Sequence, residues 1–378
     1  MNEKRSNHLK KRLRIVAAVC VIAAAAVFIT ALQKEEVPRP SVTGALHVDG
    51  PFLADGAGEH VVLRGVSTHG LTWYPQFVDE DIFRELSEKW NSNLIRLAMY
   101  SDEYCGGKEN ESIALVTKGV DAAIAADMYV LVDWHILSDG DPNMHAQEAA
   151  DFLDFMSRKY SGSPNVIYEI CNEPNGETTW DDVRGYAEYI IPVIRNNSPD
   201  AVIMVGTPDY CKELGPVLAD PLEYDNVMYS CHFYAGTHYD GLMDELDKAV
   251  SGGLPVFITE CGISGAYIDG KEEGPDYENS AKWFSYLKKH DIGFAVWSLA
   301  NKDEPSSMVN PMVTDFVPLN GSKLTETGLW VRELVRGTDP KIIPDPEKTD
   351  LTFQDRNPVS RAVYLAGLKL REAVRTLL

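Results

Sequence analysis

Basic side chains are scarce in this 378-residue sequence: 35 lysines and arginines stand against 57 aspartates and glutamates, giving a formal net charge of −22. Such an excess of negative charge repels phosphate groups, so it argues against nucleic acid or an anionic surface as a partner. It is compatible with a neutral substrate and it favours solubility. At this length we expect one large domain rather than several small ones.

Motifs for several common chemistries are also missing. The sequence has no GxSxG, which excludes the usual esterase nucleophile elbow. No CxxC pair or His/Cys cluster is present among the six cysteines, so we predict no zinc site and no cofactor. Cys20 lies in an apolar run near the amino terminus, and the other five are predicted to be mainly buried apolar thiols. These are Cys105, Cys171, Cys211, Cys231 and Cys261.

The first 40 residues differ in charge from the rest, because they carry eight basic and only three acidic side chains. A basic stretch ending at Arg14 precedes an uncharged apolar run over residues 15–32, which is just long enough to span a bilayer. Basic residues before the run place the amino terminus in the cytoplasm and predict export of the body. We favour an uncleaved anchor, with a cleaved signal peptide as the alternative. This segment is the one predicted contact with a membrane.

A strand-then-helix alternation recurs through the body of the chain. Eight short runs rich in Val, Ile, Leu and Phe lack clean alternation, as expected of strands buried on both faces. The predicted strands are His60–Val66, Asn93–Met99, Met128–Asp133, Val166–Ile170, Ala201–Val205, Val227–His232, Pro255–Glu260 and Gly293–Ser298. Amphipathic segments lie between them, except that no helix is predicted over the irregular stretch 208–226. This pattern predicts a (β/α)8 TIM barrel. The alternative is an open doubly wound sheet, but GVSTHG after the first strand offers no GxGxxG turn.

The predicted boundaries divide the chain into four parts. Residues 1–33 form the signal or anchor segment, and the polar, Pro-rich residues 34–43 form a linker. Residues 44–337 form the (β/α)8 catalytic domain. Residues 338–378 form a C-terminal extension, in which helical periodicity returns from Val359 to Leu378.

Polar and aromatic residues concentrate where the predicted strands end. In a (β/α)8 barrel the carboxyl ends of the strands build the active site. Side chains at or just after these ends are His69, Trp73, Tyr100, Asp133, His135, Asn172, Glu173, His232, Tyr234, Glu260 and Trp297, and Arg96 lies within the second predicted strand. In contrast, Asp139 and Asp141 of the SDGDPN loop lack the spaced ligands of a calcium site, so we predict a solvated loop there.

Glu173 and Glu260 are the candidate catalytic pair. Two carboxyl groups on different strands are the machinery of glycoside hydrolysis, in which one gives a proton to the leaving oxygen and the other attacks the anomeric carbon. Each also has a structural interpretation: Glu173 as a solvated loop carboxylate, and Glu260 as the ion-pair partner of Arg96. That ion pair is compatible with function, because a nearby cation favours the ionised nucleophile.

The ordered segments LRGVSTHGLTWYP, NLIRLAMY, YVLVDWHILSDGDPN, NVIYEICNEPNG, CHFYAGTH and VFITECG resemble glycoside hydrolase family five, specifically its bacterial endo-β-1,4-glucanases. The resemblance covers residues 44–337. It implies a (β/α)8 barrel that hydrolyses internal β-1,4 bonds of a β-glucan with retention of configuration.

The resemblance also implies roles for individual residues. Glu173 would be the acid/base and Glu260 the nucleophile. The subsite of bond cleavage would be lined by Arg96, His135, Asn172, His232, Tyr234 and Trp297. Sugar-binding positions near it would be His69, Trp73, Tyr100, Lys302 and Glu304.

One residue departs from the family pattern: Cys261 follows the nucleophile, where an aromatic residue is common, and we expect altered packing behind Glu260. Two alternatives stay open at this stage. One is another β-glucan or β-mannan specificity on the same barrel, and the other is a carbohydrate-binding protein with an inactive site.

Overall fold

Eight parallel strands close into a barrel in which strands that follow one another along the chain are neighbours and the last strand pairs with the first. They belong to a computed structural model that describes residues 37–268, 270–349 and 351. The barrel strands are β3 Arg64–Thr68, β4 Leu94–Tyr100, β5 Tyr129–His135, β6 Val166–Glu169, β7 Ile203–Val205, β8 Val227–Tyr234, β9 Val256–Gly262 and β10 Phe294–Leu299. The predicted (β/α)8 barrel is confirmed, and the open doubly wound sheet is excluded because β10 pairs with β3.

Helices cover the outside of the barrel and follow the strands in turn. They are α1 Glu80–Trp90, α2 Glu109–Ala125, α3 Ala146–Lys159, α4 Trp180–Asn197, α5 Asp240–Ser251, α6 Tyr277–Lys289 and α7 Glu326–Val335. Local sequence sets several of their beginnings: Thr179 and Asp182 form a capping box at α4, and Asp79 caps α1. After β7 there are only two short helical turns, Pro208–Cys211 and Gly215–Ala219, in the stretch where no helix was predicted.

An apolar layer fills the barrel at the amino ends of its strands. Its members include Leu94, Leu131, Ile167, Met204 and Phe257, each at most 3 % exposed. An antiparallel hairpin closes this end of the barrel and adds Leu46 and Leu53 to the apolar layer. It consists of β1 His47–Asp49 and β2 Phe52–Ala54, and it was not predicted from the sequence. Neighbouring strand residues such as Ile95 point the other way, into the larger core between strands and helices, which we call the outer core.

The segments flanking the barrel are folded where the structure describes them. Pro40–Thr43 is a helical turn, and Arg39 beside it donates hydrogen bonds to the carbonyl oxygens of Ser87 (2.8 Å) and Ser92 (2.6 Å). The compact unit therefore begins near Pro38, before the end of the predicted linker 34–43. At the other end, Ile343 and Leu351 of the predicted extension are buried in the outer core.

The predicted signal or anchor segment and the predicted C-terminal helix from Val359 to Leu378 lie outside the described residues. Within the part of the chain that is described, none of the helices has both the length and the apolar composition needed to cross a lipid bilayer.

Two predictions about small features have different outcomes. Cys171, Cys211, Cys231 and Cys261 are free, buried thiols, as expected, and Cys105 is partly exposed. The prediction that Asp139 lies in a solvated loop is wrong. Its carboxylate is buried and accepts hydrogen bonds from Ser101 Oγ (2.7 Å) and Leu137 N (2.9 Å), so it fastens the loop after β5 to the barrel.

Candidate active site

A cavity of about 710 Å³ opens at the carboxyl ends of the strands. Of the predicted site residues, the structure brings eleven together on its wall. They are His69, Trp73, Tyr100, His135, Glu173, His232, Tyr234, Glu260, Trp297, Lys302 and Glu304. Arg96 and Asn172 are the two that it does not place on the wall. Both are completely buried beneath it, so they are positioned to support other side chains rather than to meet a ligand.

The two candidate catalytic glutamates face each other across this cavity. A carboxylate oxygen of Glu173, a carboxylate oxygen of Glu260 and a ring nitrogen of His232 all lie within 4.8 Å of one another. Retaining glycosidases hold their two carboxyl groups about 5–5.5 Å apart, whereas inverting enzymes leave about 6.5–9.5 Å for a water molecule. The spacing in this chain fits the retaining geometry.

A β-bulge in β9 turns Glu260 into the cavity. This strand has one more residue than either neighbouring strand. On one side, Phe257 and Glu260 pair with Ser230 and His232 of β8. On the other side, Ile258 and Cys261 pair with Phe294 and Val296 of β10. Regular alternation would send Phe257 and Glu260 to opposite faces. The extra residue brings both to the interior and leaves Cys261 in the outer core, where its Sγ lies 3.6 Å from the Ala295 carbonyl oxygen.

Both carboxylate oxygens of Glu260 accept charge-stabilising hydrogen bonds. Tyr234 donates its hydroxyl to Oε1 at 2.6 Å, and Arg96 donates Nη1 to Oε2 at 2.9 Å. These two donors fix the orientation of the carboxylate. The predicted ion pair between Arg96 and Glu260 is therefore present, in an arrangement suited to a nucleophile.

Arg96 is the centre of the buried polar layer under the cavity. Besides Glu260, its guanidinium contacts Glu169 Oε2 at 2.7 Å and Asp133 Oδ2 at 3.0 Å. One cation cannot neutralise three carboxylates. Burial accordingly raises the pKa of Asp133 to about 8 despite the arginine, and it raises the pKa of Glu169 as well. Asp133 therefore retains its proton near neutral pH.

Asn172 links the buried layer to His135 on the wall. Its Oδ1 accepts from Arg96 Nη2 at 2.6 Å, and its Nδ2 donates to the Ile136 carbonyl oxygen at 3.0 Å. The same Nδ2 lies 3.3 Å from His135 Nε2, while His135 Nδ1 lies 2.6 Å from Asp133 Oδ2. Burial holds the pKa of His135 well below its usual range, so the ring is neutral. We assign its proton to Nδ1, which leaves Nε2 free to accept from Asn172.

Glu173 has a different environment from Glu260. Burial raises its pKa to about 7, although Arg96 and Lys212 act in the opposite direction. Its Oε1 lies 2.9 Å from His232 Nδ1, and His232 Nε2 lies 2.8 Å from Thr259 Oγ1. Burial lowers the pKa of His232 to about 4, so this ring is also neutral and orients Glu173 without adding charge. A carboxyl group that is half protonated near neutrality suits proton transfer in both directions.

Aromatic rings form one side of the cavity. Trp73 lies against Tyr100 with ring centroids 4.4 Å apart, and Tyr100 continues to His135 at 4.2 Å. Trp297 lies 4.8 Å from His69 and is only 8 % exposed, whereas Trp73 is 45 % exposed. Burial, followed by the charge of Lys302, lowers the pKa of His69 to about 3. The result is an uncharged wall of aromatic rings that are tilted against one another by 38–47°.

Among the residues that the structure describes, nine further ones line the cavity and were not predicted. They are Leu137, Tyr210, Lys212, His238, Ala266, Tyr267, Ile268, Glu272 and Ser306. Most lie on irregular loops after β7, β8, β9 and β10, where no periodicity identifies the face that a side chain occupies. The turn that carries Tyr210 is an example, because Asp209, Tyr210 and Cys211 all adopt positive φ. Only Lys212 could have been noticed in the sequence, because basic residues are scarce in this chain and Lys212 follows the end of a barrel strand.

Glu173, His232 and Glu260 are close enough to hold a metal ion. Their ligand atoms, however, are already engaged: both nitrogens of His232 are hydrogen bonded, and Arg96 lies 2.9 Å from Glu260. A permanent cation at that distance competes with a metal for the same carboxylate. The donor set therefore fits acid–base and nucleophilic chemistry better than metal binding.

Comparison with known proteins agrees with this geometry. Residues 54–303 match the family described as cellulase, glycosyl hydrolase family 5. The chain belongs to this family. Family 5 relatives include endoglucanase A of Butyrivibrio fibrisolvens, 45 % identical over 297 residues that cover 76 % of this chain and 68 % of the relative. An endoglucanase of Clostridium saccharobutylicum is 39 % identical over 339 residues, which cover 89 % of this chain and 75 % of that one.

Solved structures extend the family 5 likeness to the backbone. The catalytic domain of Thermobifida fusca endoglucanase Cel5A superposes with a TM-score of 0.75 at 33 % identity, covering 79 % of this chain and all of that domain. A second structure of that domain is a complex with cellotetraose.

Proposed function

We propose that this chain hydrolyses internal β-1,4 bonds of cellulose or a related β-glucan, with retention of configuration. The observation that carries the proposal is the facing pair Glu173 and Glu260, within 4.8 Å of each other and in contrasting environments. Membership of glycosyl hydrolase family 5 and the endoglucanase names of its relatives support the substrate class.

In the first step Glu260 attacks the anomeric carbon while Glu173 gives its proton to the leaving oxygen. A bond forms between Glu260 and the sugar, and the glycosidic C–O bond breaks. Arg96 and Tyr234 orient the attacking carboxylate by donating a hydrogen bond to each of its oxygens. Burial raises the pKa of Glu173 to about 7, so near neutral pH this group carries the proton that the leaving oxygen receives.

In the second step Glu173, now ionised, accepts a proton from water as the water oxygen attacks the anomeric carbon, and the bond between that carbon and Glu260 breaks. Glu260 leaves as the carboxylate and both side chains return to their starting states. His232 keeps Glu173 in place through both steps by the hydrogen bond at its Nδ1.

The remaining wall residues bind and orient the sugar units in this proposal. Trp73 and Trp297 supply apolar faces for pyranose rings. Hydroxyl partners are His69, Tyr100, His135, Lys302 and Glu304. Arg96 and Asn172 act as positioning residues, because both are fully buried.

The decisive experiment measures hydrolysis of carboxymethylcellulose against lichenan, xyloglucan and mannan. We expect the highest kcat/KM on a β-1,4-glucan, and the initial product anomer seen by NMR should be β. A preference for mannan would favour the alternative hypothesis of a β-mannan specificity on the same barrel. Absence of hydrolysis on all four, with retained binding, would favour the inactive carbohydrate-binding protein. An α-anomeric initial product would contradict retention.

We also propose that the chain is exported, with the apolar residues 15–32 as an anchor to the outer face of the cytoplasmic membrane. The excess of basic side chains before this run supports the orientation. The proposed parts are residues 1–33 for the anchor, 44–337 for catalysis and 338–378 for the extension. The mass of the mature protein in membrane and medium fractions tests the anchor, since a product lacking residues 1–33 in the medium would contradict it.

A further inference from the structure

One wall of the cavity is built by an irregular segment between β9 and α6. We call residues 264–268 and 270–273 the arm. Ile268 and Lys271 pair across it through backbone hydrogen bonds of 2.9 and 3.1 Å. Ala266, Tyr267, Ile268 and Glu272 of the arm face the same cavity as Glu260. The arm therefore extends the wall of the site beyond the catalytic pair.

The arm is fastened to the loops on both sides of it. Glu272 accepts hydrogen bonds from Ser264 Oγ within the arm and from Ser306 Oγ, at 3.1 Å, in the loop after β10. On the other side, Ala266 N donates to Thr237 Oγ1 at 2.8 Å in the loop after β8. A segment held from two neighbouring loops is arranged before a ligand arrives, which reduces the entropy lost on binding.

Tyr267 stands out because its side chain faces the cavity and is still 69 % exposed. The ammonium of Lys302 lies 6.0 Å from the centre of its ring. Lys302 in turn lies 2.5 Å from Glu304, whose Oε1 is 3.7 Å from His69 Nε2. An open aromatic face beside a cation and a carboxylate has the chemistry that a neutral sugar requires: an apolar surface for its C–H face and polar groups for its hydroxyls.

The arm meets the cavity beside Lys302, whose ammonium lies 6.0 Å from the centre of the Tyr267 ring. We call this part of the cavity the Lys302 end. His69 and Glu304 lie on the same cavity wall, so a sugar unit bound at this end can contact the arm.

We propose that the arm adds a sugar-binding subsite at the Lys302 end of the cavity, where Tyr267 stacks on one further glucosyl unit and Glu272 holds the arm in position. This inference rests on the proposed function and specifies how much of the polysaccharide the site binds.

The test compares kcat/KM on cello-oligosaccharides of increasing length. For Tyr267→Ala we expect a loss of about three- to tenfold on the longest substrates and no change on the shortest. The length at which kcat/KM stops rising should therefore fall by one unit. Tyr267→Phe and Tyr267→Trp keep the stacking face and should keep the wild-type dependence on length. Tyr224→Ala is the matched control, since Tyr224 is 38 % exposed and is absent from the cavity wall.

Equal loss on every length, or no loss on any, overturns the subsite. Failure of the wild-type chain to hydrolyse any of these substrates overturns the proposed function itself, so the two failures are distinguishable.

Glu272 is tested as a positioning residue. Glu272→Ala frees the arm, so we expect KM for the longest substrate to rise about three- to tenfold with kcat unchanged. Glu272→Gln retains acceptors and donors for both serines and should restore the wild-type value. Combining Glu272→Ala with Tyr267→Ala should add nothing to the loss caused by Tyr267→Ala alone. Additive losses would contradict the positioning role.

Discussion

The two halves of the barrel interior differ in composition although the same strands build both. At the amino ends, Leu94, Leu131 and Phe257 fill the barrel with apolar volume. Two or three residues further along the same strands stand Arg96, Asp133 and Glu260. The lower half is apolar and tightly filled, and the upper half is a hydrogen-bonded polar layer under an open cavity. Residues near the amino end of a strand therefore stabilise the barrel, whereas residues nearer its carboxyl end serve the chemistry of the site.

The largest effect is expected from Glu260→Gln in the upper half. Loss of the attacking carboxylate should reduce kcat on cellohexaose by at least about ten-thousandfold, because the covalent intermediate can no longer form. Binding of the oligosaccharide, measured by calorimetry, should change little. Glu223→Gln makes the same change at an exposed position and should keep full activity. Substantial turnover by Glu260→Gln would end the assignment of the nucleophile.

Arg96→Met should affect both stability and activity, which makes it the strictest test of the comparison. Removal of the guanidinium leaves Asp133, Glu169 and Glu260 buried without their cation, at an expected cost of about 3–5 kcal/mol in the free energy of unfolding. Urea denaturation measures this cost, and activity should fall as Glu260 loses its orientation.

The control is Arg84→Met. Arg84 is also paired with two carboxylates, Glu80 at 2.9 Å and Asp81 at 3.0 Å, but its side chain is 47 % exposed. We expect a change of about 0–1 kcal/mol. Equal effects at the two arginines would show that burial does not distinguish them.

Phe257→Ala examines the lower half in isolation. The side chain is 1 % exposed, so its truncation should reduce the free energy of unfolding by about 3–5 kcal/mol. Activity per folded molecule, measured well below the melting temperature, should stay within about twofold of wild type. Phe155→Ala, at a side chain that is 42 % exposed on α3, should cost about 1 kcal/mol or less. A large loss of activity in folded Phe257→Ala would break the separation of the two halves.

The smallest effect concerns pH. Glu173 must be protonated to act as an acid, and its pKa is about 7 because of burial, so kcat/KM should fall about tenfold per pH unit above neutrality. Lys212→Met removes a charge that lowers this pKa and should move the fall to higher pH. Lys118→Met, at an exposed site, should leave the profile unchanged. A profile whose alkaline limb is the same in Lys212→Met and wild type would contradict the link between Lys212 and Glu173.

The barrel was predictable because strands buried on both faces give continuous apolar runs, and because charged or aromatic residues directly after such runs mark one rim. The structure has Glu173, His135 and Trp297 on the cavity wall at this rim. The family resemblance implied that Arg96 lines the subsite of bond cleavage. Alternation along β4 could not correct this, because it specifies the face of a strand and not the depth of a residue within the barrel. Arg96 is the third residue of β4, four positions before Tyr100, and so lies below the wall.

Other features left no pattern to detect. Tyr210 and Tyr267 lie on loops whose backbone is fixed by tertiary hydrogen bonds, such as Tyr210 N to the Pro174 carbonyl oxygen at 3.0 Å. The hairpin of β1 and β2 consists of two three-residue strands, too short for periodicity. The bulge in β9 depends on pairing with both neighbouring strands, which the sequence of β9 alone does not contain.

That bulge has a consequence for how the chain reaches a single folded state. A regularly paired β9 of the same sequence would turn Cys261 inward and place the Glu260 carboxylate in the apolar core between strands and helices, away from Arg96. Burying an ionised carboxylate there without a partner is far more costly than bulging one strand. The arginine that orients the nucleophile therefore also selects against the slipped pairing, so the reactive group of the barrel takes part in specifying its architecture.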